Sequence, residues 1–105
     1  MAEEEQFVAY VFPIRTFFET TTFTETHAVI LPYYTASFLG QYDSVIIDVS
    51  NVKISQNAVT IFYDRLCQLF GYKVMGRVDF VGNDKIKKPY IPVYFDYYKD
   101  GTFLS

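Results

Sequence analysis

The sequence predicts one α+β domain: a mainly antiparallel or mixed sheet of about five strands, with one amphipathic helix packed on one face, in the order β-β-(short α)-β-α-β-β. Three observations carry this. One segment, Gln56–Phe70, repeats apolar residues at helical spacing. Several other segments alternate, or are apolar throughout, and are rich in Phe, Tyr, Val and Thr. Half of the 105 residues are hydrophobic, enough to fill a core without disulfide or metal staples.

Met1–Glu5 reads as a disordered acidic tail, which leaves residues 6–105 for the domain. Gln6–Phe12 is apolar on both alternating sets, so it is expected as a central strand covered on both faces, with Pro13 ending it or forcing an edge or bulge. Thr20–Leu31 alternates, with Thr20, Thr22, Thr24 and Thr26 on one side and Phe23, Glu25, His27, Val29 and Leu31 on the other. That pattern predicts an antiparallel strand with a solvated threonine face. Pro32 to Leu39 predicts one or two turns of helix, with Pro32 in the first turn and Gly40 as the stop. Ser44–Ser50 is the next strand, with Val45, Ile47 and Val49 on one face, followed by a turn at Ser50-Asn51 and a short run over Val52–Ile54.

The strongest element is the helix over Gln56–Phe70, capped by Ser55 or Asn57 and ended by Gly71. Ala58, Val59, Phe62, Tyr63, Leu66, Leu69 and Phe70 make its inward stripe; Thr60, Asp64, Arg65 and Gln68 lie opposite. Tyr72–Val81 and Tyr90–Tyr98 then read as a hairpin joined by a loop rich in lysine.

Composition excludes several classes. No apolar run approaches the roughly 20 residues that span a bilayer, and the acidic N-terminus is unlike a secretory signal. One cysteine makes no internal disulfide, and no Cys/His spacing suits zinc, so an intracellular chain without metal or cofactor is expected. A net charge of −3 disfavours a duplex-DNA binder. No phosphate loop or nucleophile motif is present, and no catalytic residues are assigned.

What stands out is 11 Phe and 10 Tyr, more rings than one sheet and one helix need. On the expected hairpin, Tyr90, Tyr94 and Tyr98 share an outer face with Arg77, and Lys85, Lys87 and Lys88 sit at the tip. Ile61 lies on the otherwise polar side of the helix. These residues predict a non-enzymatic interaction module that forms a homodimer or meets a protein partner. Tyrosines flanked by cations also suit weak binding of single-stranded nucleic acid, the alternative reading. A third reading places an acid–base pair or a ligand site at Glu25 and His27, two apart on one strand face. A lone His without a second ligand more often serves structure. Cys67, at the edge of the apolar stripe, reads as a structural cysteine.

Overall fold

Every strand pairing is parallel among residues 8–89, which the computed structural model describes. In chain order the elements are β1 (Ala9–Pro13), α1 (Ile14–Phe17), β2 (Thr22–Phe23), α2 (Glu25–Leu39), β3 (Ser44–Asp48), β4 (Lys53–Ile54), α3 (Gln56–Phe70), a 3-10 helix over Tyr72–Arg77, and β5 (Val78–Val81). One sheet runs β1-β3-β5, and a smaller one pairs β2 with β4. In register, Val11 lies beside Ile46 and Ile46 beside Asp79.

This overturns the expected mainly antiparallel five-stranded sheet with a single helix. Parallel neighbours require a crossover of a dozen or more residues, which α2 and α3 each provide. Strands stepping one way across a sheet with right-handed crossovers put both helices on the same face. Phe12, Val45, Ile47 and Val78 from the sheet are buried there with Leu31 of α2 and Val59, Phe62 and Leu66 of α3.

Residues 20–31 are the largest correction. The expected strand is instead β2 followed by the first half of α2. Thr24 is the N-cap: its hydroxyl accepts from the His27 N–H at 3.3 Å, while its own N–H donates to His27 Nδ1 at 3.0 Å. That reciprocal capping box satisfies two donors that a helix start otherwise leaves orphaned. From there Ala28, Leu31, Pro32 and Thr35 are buried at helical spacing. Pro32, expected in the first turn, sits mid-helix, and Gly40 is the C-cap as expected.

Two smaller corrections follow. Residues 6–12 were expected as a central strand; β1 is an edge of the three-stranded sheet, and Pro13, which has no N–H to donate, is its last residue. Residues 72–77 were expected in a strand but form the 3-10 helix, because Gly71 at φ +90° turns the chain sharply at the end of α3. Val74 and Met75, adjacent in sequence, are both buried, which no strand pleat allows on one face. The chain after residue 77 enters β5, parallel to β3, so the expected hairpin partner of residues 90–98 is only four residues long. The second hairpin strand and the acidic tail lie outside the described residues.

The helix α3 forms over Gln56–Phe70 with Ser55 as N-cap, its hydroxyl accepting from the Ala58 N–H at 3.1 Å. Two of its faces differ from the expected wheel. Asp64 is buried, and Leu69 and Phe70 are exposed. Tyr63 ties the helix to the sheet by donating to the Val78 carbonyl at 2.7 Å.

Candidate interaction surface on α2

A helix on the outside of a sheet normally shows charged residues to water. The outer side of α2 shows none of them beyond its first residue: residues 26–42 contain no Asp, Glu, Lys or Arg. Thr26, Ile30, Tyr33, Tyr34 and Ser37 recur at helical spacing on that side and are all exposed, Tyr33 most of the large ones at 54%. Thus α2 carries two apolar stripes, one sunk in the core and one facing outward.

The outward stripe is continuous with Phe17, exposed at the end of α1, whose ring meets Tyr34 edge-on at 5.0 Å. Phe17 in turn rests on buried Phe12 at 4.5 Å, and Phe12 on Phe38 at 5.4 Å. The exposed rings are therefore braced from beneath by the core. A surface with aromatic side chains, no charge at its centre and little freedom to lose on binding has the composition of an interface core.

The opposite face of the main sheet is less suited. Its exposed Val11 and Val81 share rows with the carboxylates Asp79 and Asp48. Asp48 is also committed locally: its carboxylate accepts from the Ser50 hydroxyl at 2.6 Å and the Ser50 N–H at 2.9 Å, and these bonds hold its pKa below the ordinary carboxylate value.

The residues singled out in the sequence are placed as follows. Arg77 spans the C-terminal end of α2, donating from Nε to the Asp43 carbonyl at 3.0 Å and from Nη2 to those of Leu39 at 2.9 Å and Tyr42 at 3.1 Å. It satisfies carbonyls that a helix end leaves unpaired. Ile61 is half-buried and packs against the core cluster. Lys88 pairs with Asp79 at 2.9 Å, donates to the Met75 carbonyl at 2.7 Å, and lies 5.6 Å from the centre of the Tyr63 ring. The backbone of Lys87 is clamped by the Gln56 amide, which donates to its carbonyl at 2.6 Å and accepts its N–H at 2.9 Å. The side chain of Lys85 is exposed, and its N–H donates to Asn83 Oδ1 at 3.0 Å. The loop of Lys85, Lys87 and Lys88 thus lies against α3 and the 3-10 helix. Tyr90, Tyr94 and Tyr98 lie outside the described residues.

Glu25 and His27 are on the first turn of α2, not on one face of a strand. Glu25 accepts from the Asn57 amide of α3 at 2.6 Å, and His27 completes the capping box while its ring lies 4.7 Å from Phe18 and 5.7 Å from Phe23. Glu25 thus joins the two helix starts, and His27 fastens the start of α2. Cys67 is fully buried, and desolvation, helped by nearby Asp64, pushes its thiol up to about 12; such a thiol stays protonated and unreactive. Among the described residues no cluster of three His, Cys, Asp or Glu is arranged to hold a metal, and no helix is long and apolar enough to cross a membrane.

Comparison with models of known protein families, with curated proteins and with solved structures finds no match for the chain.

Proposed function

We propose that the chain is a non-enzymatic interaction module that self-associates through the outer face of α2, with Phe17 at its margin. The observation that supports this reading is the exposure of Ile30, Tyr33, Tyr34 and Phe17 on and beside a helix free of formal charge over residues 26–42.

A second copy is the occupant this chemistry fits. In a two-fold contact a surface meets itself, so any charge at its centre meets a like charge. A neutral patch of aliphatic and tyrosine side chains has no such conflict, even on a chain whose net charge is −3. Threonine and serine hydroxyls at Thr26 and Ser37, and the two tyrosine hydroxyls, supply hydrogen bonds at the rim. Burying the exposed remainder of these side chains, four from each copy, supplies an apolar driving force that opposes the entropy cost of association.

Sedimentation at micromolar concentration in low and high salt is the test. A dimer that persists in high salt is expected, because apolar burial is nearly insensitive to screening. Ile30→Glu is expected to give a folded monomer, since it places like charges across the two-fold axis, and to lower the melting temperature only by the dimer's concentration-dependent contribution. A wild-type chain that is monomeric in both salts, or an Ile30→Glu chain that stays dimeric, defeats the reading.

A further inference from the structure

The apolar stripe of α3 outlasts what covers it. Both helices run back from the C-terminal ends of their strands, so their own C-termini lie side by side. There α2 closes on Gly40, which has no side chain, and Phe70 of α3 is left 48% exposed. Between them lies an open groove of about 350 Å³ whose apolar wall includes Ala36, Leu39, Phe70 and Val74.

Two cations, Lys73 and Arg77, also line the groove among the described residues. Lys73 is exposed and has no acidic partner among the described residues. Arg77 is fixed by the three main-chain carbonyls at the end of α2, so its charge is held in place before anything binds. Of the acids near in sequence, Asp43 turns its carboxylate to the Val8 N–H at 2.7 Å and Asp79 pairs with Lys88 at 2.9 Å. The groove therefore pairs an apolar floor with a preorganised positive wall.

We infer that this groove is a docking site for a peptide of a partner protein that carries a large apolar side chain next to one or more carboxylates. The apolar side chain fills the space above Gly40 against Leu39, Phe70 and Val74. The carboxylate meets Lys73 and the Nη1 end of the Arg77 guanidinium, whose other donors are held by the main-chain carbonyls. The charge match selects acidic peptides and rejects basic ones. A helix-end groove of this size accommodates a few residues rather than a folded domain.

This site is distinct from the outer face of α2, and the experiment separates them by using the Ile30→Glu chain alongside the wild type. The probe is a fluorescein-labelled peptide Glu-Glu-Leu-Phe-Glu, with Lys-Lys-Leu-Phe-Lys as its control, read by fluorescence polarisation at low salt. The acidic peptide is expected to bind both chains at least tenfold more tightly than the control. Lys73→Glu is expected to lower its affinity at least tenfold. Gly40→Phe is expected to block it, because Gly40 has ordinary helical backbone with the nearest heavy atom 3.6 Å from where a Cβ stands, so the fold accepts a side chain that then fills the groove. Circular dichroism melts confirm that both variants remain folded. Equal binding of the two peptides, no effect of either variant, or tighter binding of oligothymidylate than of the acidic peptide overturns the inference.

Discussion

The helices α2 and α3 have the same length, 15 residues each, pack on the same sheet and follow the same kind of strand, yet only one of them announces itself in the sequence. In α3 the apolar residues Ala58, Val59, Phe62, Tyr63 and Leu66 fall on one side, and polar residues such as Gln56, Asn57 and Gln68 are exposed. In α2 apolar residues occupy nearly the whole circumference, since Ile30, Tyr33 and Tyr34 face outward as Ala28 and Leu31 face in. A helix that is apolar all round has no contrast to detect, and a helix of that kind ordinarily has something on both sides. The same feature that hides α2 from pattern reading is the one on which its proposed role as an interaction surface rests.

If both helices are core elements of equal standing, their central leucines should matter equally. Leu31 of α2 and Leu66 of α3 are each completely buried. Replacing either with Ala is expected to cost about 2–5 kcal/mol in denaturant unfolding, from lost burial and a cavity that closes only in part. A loss under about 0.5 kcal/mol for Leu31→Ala alone would break the equivalence and leave α2 a surface appendage.

The helices are asymmetric in how they are fastened. Tyr63 of α3 is buried, and its hydroxyl donates to the carbonyl of Val78 in β5. Burial, with a smaller contribution from Asp79, raises its pKa above the ordinary tyrosine value, so it stays a donor throughout the working range of pH. Tyr63→Phe keeps the ring contacts with Phe62 and Phe80 but strands a buried carbonyl. The expected cost is about 1–3 kcal/mol. A neutral result would mean that shape alone holds α3 to β5.

Legibility followed local chemistry. The span of α3, its stop at Gly71, Ser55 as one of two candidate caps, and a strand beginning at Ser44, which ends at Asp48 rather than Ser50, are set by residues close in sequence and are readable there. Strand direction is not written in alternation: a period of two says which residues share a face, not which neighbour lies beside them or which way it runs. Thr20, Thr22, Thr24 and Thr26 outweighed the Ala28, Leu31, Pro32, Thr35 spacing because β-branched residues favour strands, whereas Thr24 in fact serves as a cap. The outward stripe of α2 is hidden for the same reason, since a strand over 20–31 and a short helix after it divide Ile30 from Tyr33 and Tyr34. The signal that reveals it was the absence of charge over residues 26–42, a property of composition rather than of period. Arg77 was noticed, but its contacts are all with carbonyls more than thirty residues away, which no local pattern predicts.

The smallest expected effect sharpens the comparison at the helix starts. The α3 cap is a single bond from the Ala58 N–H to Ser55, whereas the α2 cap is reciprocal, because His27 also accepts the Thr24 N–H. Histidine at this position is doing what Glu or Gln does in most capping boxes: offering an acceptor three residues after the cap. Gln has the acceptor and adequate reach but lacks the ring that lies against Phe18 and Phe23. His27→Gln is therefore expected to stay within about 1 kcal/mol of wild type in thermal or denaturant unfolding, and to leave the dimer intact because His27 points toward those rings and not to the Ile30 and Tyr33 face. His27→Ala, which loses both acceptor and ring, is expected to cost more than His27→Gln, in the range of about 0.5–2 kcal/mol typical of a lost cap. Were His27→Gln as damaging as His27→Ala, the imidazole would owe its place to aromatic packing, and the α2 start would rest on the Thr24 hydroxyl alone, just as α3 rests on that of Ser55.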